Sequence, residues 1–174
     1  MGRPAVRVVV PAVPGKLHPG VLPAILRSGY PAEVVPVGPG DEYYRLLARL
    51  WAEQVDFVVV EHDIIVGRDT LAGFEGCSHW WCAHSYRQAD GCDIAVTYQQ
   101  LTTLGCTRFR AEVMAWHPTA VLEAGSTWNG RYPPRDWHAL DHALGQALRG
   151  AARLQGGAHR HWPNVEHLHP ARSA

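Results

Sequence analysis

The sequence predicts an α/β fold, with a mostly parallel β-sheet flanked by helices in a single domain. Short apolar runs rich in β-branched residues, over 6–10 and 57–60, are typical of strands that are buried on both faces of a sheet. Stretches with helical spacing of apolar residues separate these runs, and this alternation is the pattern of parallel βαβ units. The length of 174 residues fits one domain.

Composition and charge indicate an ordinary globular protein. Apolar residues make up 47% of the chain and charged residues 18%, with a formal net charge of zero, which is not the composition of a disordered or coiled-coil chain. The balanced charge gives no general attraction to nucleic acid, although the arginines after residue 130 allow a local basic face. The apolar run near the N-terminus is too short for a signal peptide or a membrane span. The four cysteines fit reduced thiols, so we expect a cytoplasmic protein.

The elements of the first half have clear boundaries. Strands are predicted over 6–10, over 32–37 and along the run that ends at Glu61, and a first helix over 19–29 ends at a glycine. Asp41 begins a second helix, which we expect to lie on the sheet because its apolar residues recur at helical spacing. That stripe consists of Tyr43, Leu46, Leu47, Leu50 and Trp51.

The second half is less regular. We expect a short helix over 68–75, strands over 80–86 and 93–98, and a helix over 107–116 that ends before a proline. The glycine and proline residues of 125–135 predict a loop, which we interpret as a lid over the site. Asp136 is the predicted N-cap of a long helix that runs to about residue 154.

Two carboxylates, Glu61 and Asp63, follow the most strand-like run of the chain, with His62 between them. Ligands of open α/β sheets bind beyond the carboxyl ends of the strands. Residues two apart point the same way if the strand continues through them, and paired carboxylate oxygens suit Mg²⁺ or Mn²⁺. The pattern indicates a site for a metal and a phosphate, and the alternative is a solvated strand end with a turn-forming Asp63.

Further candidates for the same chemistry lie near the C-terminus. Asp141 is on the apolar stripe of the last long helix, where a carboxylate needs a hydrogen bond, a metal or a polar cleft. It is therefore either a functional acid or a buried structural residue. His167 and His169 are two residues apart, so an extended segment presents both imidazoles on one face, where they can complete a metal site. For each histidine alone, a surface or packing role is the alternative.

Cys77, His79, Cys82 and His84 form a compact group of residue types that bind zinc. Their spacing matches no paired C-x₂-C arrangement, and the two tryptophans among them favour packing. A small zinc-stabilised interaction domain is therefore one alternative hypothesis for the whole chain.

Together these motifs resemble a GT-A-fold glycosyltransferase, and most of all the small glycosyltransferase-like proteins of actinobacteria and their phages. The resemblance rests on the βαβ half, the acidic triplet at 61–63, the glycine-containing loop at 104–109, the acid of the late helix and the closing Val-x-His-x-His at 165–169. It extends over roughly residues 5 to 170, and its specificity lies in the order of several weak motifs.

The resemblance implies a metal site. Glu61 and Asp63 stand where the family has its Asp-x-Asp motif, which holds Mn²⁺ or Mg²⁺ against the diphosphate of a nucleotide sugar. His167 or His169 matches the C-terminal histidine ligand of the family. Glu61 departs from the family pattern by one methylene, so Asp63 is the stronger candidate.

The resemblance also implies an activity. Asp141 matches the catalytic base of inverting members, Pro11 and Ala12 match the loop against the nucleotide base, and Gly105 lines the cleft. The implied reaction moves a sugar from a nucleotide-diphosphate sugar to an acceptor hydroxyl on a hydroxymethylated phage DNA base, a protein or a glycan. A non-catalytic nucleotide-binding module of the same fold is the other alternative.

Overall fold

The computed structural model describes residues 6–87, 93–94, 104–128, 132–152 and 158–168. The strands in these ranges are β1 (Arg7–Ala12), β2 (Ala32–Pro36), β3 (Phe57–Val60), β4 (Ile64–Ile65), β5 (Trp81–Arg87), β6 (Asp93–Ile94), β7 (Cys106–Phe109) and β8 (Ala158–His167). The helices are α1 (Val21–Arg27), α2 (Glu42–Glu53), α3 (Thr70–Gly76), α4 (Ala111–Trp116), α5 (Ala120–Ala124), α6 (Trp137–Ala147) and α7 (Arg149–Ala152). No helix among these has the length and apolar character needed to cross a membrane.

One sheet contains all the described strands, in the order β2-β1-β3-β7-β5-β8-β4, with β6 paired to β5. The first three strands form one parallel part of this sheet, because β1 pairs in parallel with both β2 and β3. The predicted stripe of α2 is buried along its whole length. The α/β fold class predicted from the sequence is confirmed, with helices on both faces of the sheet.

Different helices cover the two faces. On one face, Leu47 of α2 and Leu140 of α6 belong to the same buried cluster. On the other face, Ile25 of α1 and Phe74 of α3 belong to a second cluster. Burial of these apolar side chains from water on both faces is the main favourable term that holds the sheet together.

The second half adds strands of mixed direction. β7 lies between β3 and β5 and is antiparallel to both, whereas β8 is parallel to β5 and antiparallel to β4. The helix predicted over 107–116 is therefore wrong at its start, because β7 occupies the residues before Arg110 and α4 begins at Ala111. All four residues of β7 are buried, and pairing with a strand on each side overrides the local helical pattern.

Two helix termini differ from the sequence prediction, namely the end of α6 and the N-cap of α2. Asp136 is the N-cap of α6, as predicted, and its Oδ1 accepts a hydrogen bond from the His138 amide at 2.9 Å. The helix then ends at Ala147, and the short α7 follows, since nearby glycines weaken helix propagation. Asp41 occupies the N-cap position of α2, but its carboxylate bonds to Arg45 at 3.0 Å and caps no amide. Residues 95–98 of the predicted strand over 93–98 lie outside the described ranges.

Candidate active site

The chain turns sharply where β3 ends. The strand stops at Val60, and the Ile64 amide donates a hydrogen bond to the Glu61 carbonyl at 3.1 Å before β4 begins. The strand therefore does not continue through Glu61 and Asp63, so the condition for the two side chains to point the same way is not met, and β4 pairs with β8 instead. The two carboxylates nevertheless stay close enough for the charge of Asp63 to raise the pKa of Glu61.

Asp63 and His167 are in contact although 104 residues separate them in sequence. Nε2 of His167 lies 3.1 Å from Oδ2 of Asp63, and both side chains are buried. The pairing of β4 with β8 brings them together: Ile64 is opposite His167, and the Leu168 amide donates to the Asp63 carbonyl at 2.8 Å. The structure thus joins the mid-chain acid to a tail imidazole, while metal binding by this pair stays a prediction. His169, the second predicted histidine, lies outside the described part of the chain.

Glu61 has a tyrosine partner that the sequence analysis assigned only to the core. The Tyr43 hydroxyl donates to Glu61 Oε1 at 3.0 Å, and the Glu61 amide donates to the Gly105 carbonyl at 2.9 Å. Burial, together with the charges of Asp63 and Asp141, raises the pKa of Glu61 to about 8, against the lowering effect of the Tyr43 hydrogen bond. The charges of Asp63 and Asp141 therefore both disfavour the ionised form of Glu61 at this strand end.

Asp141 lies in the second turn of α6 beside a cavity of about 10 Å³, which is enough for about one water molecule. Its Oδ1 accepts a hydrogen bond from the His142 amide at 2.7 Å. Burial raises the pKa of Asp141 to about 7, although backbone hydrogen bonds and the nearby His138 lower it. The carboxylate thus has the backbone partner that its place on an apolar stripe requires, and its role as a base stays a prediction.

The beginning of α6 packs on the turn between β3 and β4. The ring centroid of Trp137 lies 5.2 Å from that of His62 and 5.2 Å from that of Tyr43. This packing fixes α6 over the strand end, so Asp141, one turn later, lies near enough for its charge to raise the pKa of Glu61. Tyr43 and Trp137 were not predicted as residues of this site. The position of Tyr43 in the first turn of α2, which follows the parallel strand β2, was the available signal, since helices that follow parallel strands begin at the ligand-binding edge.

Pro11 and Ala12 lie at the same edge of the sheet. They belong to β1 and not to the following loop, with Pro11 opposite Val35 of β2. Proline is tolerated here because the pairing of β1 with β3 ends earlier, at Val9. Contact of Pro11 and Ala12 with a nucleotide stays a prediction. A cavity of about 450 Å³ lies at the opposite, amino-terminal edge of β1 and β3, with Arg7 and Asp56 among its lining residues.

A solved structure of similar architecture is the crystal structure of a glycosyltransferase involved in the glycosylation of the major capsid of PBCV-1. The TM-score is 0.50 at 12% sequence identity, and the alignment covers 91% of this chain and 82% of that chain. This chain has a glycosyltransferase-like fold. A second structure, of a protein from STIV, aligns with a TM-score of 0.41 at 12% identity over 79% of this chain and 78% of that chain. No protein-family model matches the chain, and no curated protein matches it.

At 12% identity the similarity concerns the fold alone. Because one fold supports many activities, a functional assignment has to come from the site. The features that bear on it are the contact between Asp63 and His167 and the neighbouring acids Glu61 and Asp141.

Proposed function

We propose that this chain is a metal-dependent glycosyltransferase, related to the small glycosyltransferase-like proteins of actinobacteria and their phages. It would move a sugar from a nucleotide-diphosphate sugar to an acceptor hydroxyl. The observation that supports the proposal most strongly is the buried contact between Asp63 and His167 beside Glu61, at a strand end of a glycosyltransferase-like fold.

The side chains at this strand end fit a hard divalent cation. Oδ2 of Asp63 and Nε2 of His167 lie 3.1 Å apart, and adjacent ligands of an octahedral Mg²⁺ lie about 2.9 Å apart. The raised pKa of Glu61 supports the same assignment, because clustered carboxylates gain from a compensating positive charge. We assign Asp63, His167 and Glu61 as ligands of Mg²⁺ or Mn²⁺, and His169 remains a further candidate. The bound cation would stabilise the negative charge that develops on the diphosphate leaving group.

The remaining residues position the substrates and accept the proton of the acceptor hydroxyl. Asp141 accepts the proton of the acceptor hydroxyl, and a pKa of about 7 suits a general base that works near neutral pH. Tyr43 holds Glu61 in one orientation through its hydrogen bond. Pro11 and Ala12 lie against the nucleotide base, and Gly105, hydrogen-bonded to Glu61, borders the donor.

Three classes of acceptor remain in the proposal: a protein, a glycan or a hydroxymethylated base in phage DNA. A protein is the first to test, because the solved glycosyltransferase of similar fold is involved in the glycosylation of a major capsid. A DNA acceptor would require phosphate contacts from the six arginines between residue 131 and the C-terminus, and its binding would then weaken steeply with salt. Binding of a neutral sugar acceptor would depend little on salt.

A donor-turnover assay tests the proposal. The protein is incubated with Mn²⁺ and a panel of nucleotide sugars, and release of the nucleoside diphosphate is measured with and without acceptor. We expect metal-dependent turnover of one donor, and a loss of about 10²–10⁴-fold in Asp141→Asn, as for removal of a general base. Asp69→Asn is the matched control, because Asp69 is exposed and makes no capping hydrogen bond.

Two results would count against the proposal. Turnover that is equal in Asp141→Asn and in the wild type would remove the assigned base. Nucleotide binding without turnover of any donor would favour the non-catalytic module.

A further inference from the structure

A second group of metal-ligand side chains lies between the loop after α3 and the strand β8. Within the ranges that the structure describes, Sγ of Cys77 and one ring nitrogen each of His159 and His161 all lie within 4.8 Å of one another. His79 approaches the same sulphur, with its Nδ1 at 3.4 Å. The proposed glycosyl transfer uses none of these residues.

Two sulphur-to-nitrogen distances match the edges of a tetrahedral zinc site. Zinc binds sulphur at about 2.3 Å and imidazole nitrogen at about 2.05 Å, so a tetrahedral site places sulphur and nitrogen about 3.5 Å apart. Sγ of Cys77 lies 3.4 Å from Nδ1 of His79 and 3.6 Å from Nδ1 of His159. The His79 and His159 rings are stacked at 4.7 Å, and His161 lies at 4.6 Å from His159. Three imidazoles are thus gathered around one sulphur.

The fold builds this group from segments about eighty residues apart. His159 and His161 are two residues apart on β8, so both point to one face of the sheet. Cys77 is the C-cap of α3, which covers that same face, and Phe74 of α3 packs on the His161 ring at 5.2 Å. The loop that follows places His79 beside them.

A buried arginine fixes the loop that carries the sulphur. The guanidinium of Arg108 donates hydrogen bonds to the carbonyls of Phe74, Cys77 and His79, the last two at 2.8 Å. Arg108 is 1% exposed. Since these bonds hold the backbone on both sides of Cys77, the loop is set in place before any ion binds, as a high-affinity metal site requires.

The sequence prediction named only half of this group. Cys77 and His79 are members, whereas Cys82 and His84 lie on β5 outside the ligand group, which takes His159 and His161 from β8. β5 and β8 run in parallel with Cys82 opposite His159 and His84 opposite His161, so the two strands place four such residues side by side. The pairing of distant strands determines which residues form the group, and this pairing cannot be predicted from the spacing of residues in the sequence.

We propose that Cys77, His159 and His161, with His79 as the fourth ligand, bind one Zn²⁺ in a structural site. Thiolate and imidazole ligands favour zinc, whereas the oxygen-rich group at Asp63 favours magnesium or manganese, so the two sites differ in metal. Four protein ligands leave no open position for substrate, which is the arrangement of structural zinc.

The proposed zinc ion would bind two residues of β8, the strand that also carries His167. β8 begins near the Cys77 group and ends at His167, beside Asp63. Zinc would therefore join β8 to the loop after α3 and hold the proposed catalytic metal ligand in place. Removal of zinc should lower the thermal stability of the whole chain, because metal binding to a folded site contributes directly to folding.

Metal analysis of the purified chain tests the inference. After dialysis and addition of Zn²⁺, we expect zinc stoichiometric with the chain, lost in Cys77→Ser and in His159→Ala. Asp63→Asn, in the other site, should keep its zinc. His138→Ala is the matched histidine control, since this exposed side chain on α6 is not part of the group.

Measurements on the wild-type chain test the inference even if the variants fail to fold. The wild-type chain loaded with Co²⁺ should show a thiolate-to-metal charge-transfer band, and a chelator should lower its Tm. Absence of bound zinc in the wild type after Zn²⁺ addition, or a Co²⁺ spectrum without a thiolate band, would overturn the inference. A chain that binds zinc but turns over no nucleotide sugar would contradict only the proposed glycosyl transfer.

Discussion

Glu61 shows how strongly a side chain at this site depends on its surroundings. Burial and two neighbouring carboxylates raise its pKa to about 8, and burial raises the pKa of Asp141 to about 7. Without a cation, Glu61 is therefore mostly protonated at neutral pH. Binding of a divalent ion has to displace that proton, so metal affinity should increase with pH up to about 8.

The pH dependence of stability in the absence of metal checks this electrostatic description. The folded chain holds protons on Glu61 and Asp141 that the unfolded chain releases from about pH 4 upwards, so their contribution lowers the free energy of unfolding as pH rises from about 4.5 to about 8. The slope is at most about 1.4 kcal/mol per pH unit for each group. Urea unfolding at several pH values should show a shallower decline in Glu61→Gln. Glu166→Gln, at an exposed position, should follow the wild type, and an unchanged slope in Glu61→Gln would contradict the description.

Tyr43 offers a second test at the residue scale. Its hydroxyl donates to Glu61 and favours the ionised carboxylate. In Tyr43→Phe the pKa of Glu61 should rise further, so Mn²⁺ affinity at pH 7 should fall by about 1 kcal/mol, or about fivefold, the value of one hydrogen bond. Isothermal titration calorimetry measures this. Tyr30→Phe is the matched control, because Tyr30 also bonds a glutamate, Glu75, away from the site, and equal Mn²⁺ affinity in both variants would contradict the role of Tyr43.

Among the elements, β7 and the loop after α3 depend on Arg108. Its guanidinium donates to three carbonyls, and Arg108→Met would remove this donor from all three and leave the Phe74 carbonyl with only the Cys77 amide. We expect a loss of about 3 kcal/mol or more in the free energy of unfolding, measured by urea denaturation. Arg45→Met removes an ion pair whose arginine is 72% exposed and should cost less than about 1 kcal/mol. Equal losses in the free energy of unfolding for the two variants would contradict a stabilising role of the Arg108 hydrogen bonds.

The elements also show which features of the fold the sequence can predict. β3 and α2 were predictable because an unbroken β-branched run and a five-residue apolar stripe are strong periodic patterns. β4 has two residues, too few for any period, so its pairing with β8 could not be foreseen. That pairing is what places Asp63 against His167.

The candidate site, like the fold, could be predicted only in part from the sequence. Glu61, Asp63 and His167 follow from residue types at strand ends and in an extended tail. Tyr43 was hidden because a tyrosine on an apolar stripe has the pattern of a core residue. His159 and His161 were missed as partners of Cys77, because only the parallel register of β5 and β8 brings them to the loop after α3.

For the molecule as a whole, the proposed site joins the first half of the chain to its tail. The acids come from the end of β3, from the turn before β4 and from α6, and the imidazole comes from the end of β8. A ligand held by all of them binds the folded chain and not the unfolded one. It should therefore stabilise the entire sheet against unfolding.

The central claim is that Asp63, His167 and Glu61 hold one divalent cation that binds the diphosphate of a sugar donor. Thermal unfolding with nucleoside diphosphates, with and without Mn²⁺, tests it most directly. We expect one nucleotide to raise the Tm only when Mn²⁺ is present, by an amount equivalent to about 2.7 kcal/mol at a hundredfold excess over Kd. This increase should disappear in Asp63→Asn and His167→Ala and persist in His138→Ala. A full increase in the Asp63 and His167 variants, or no metal-dependent increase with any nucleotide, would contradict the claim.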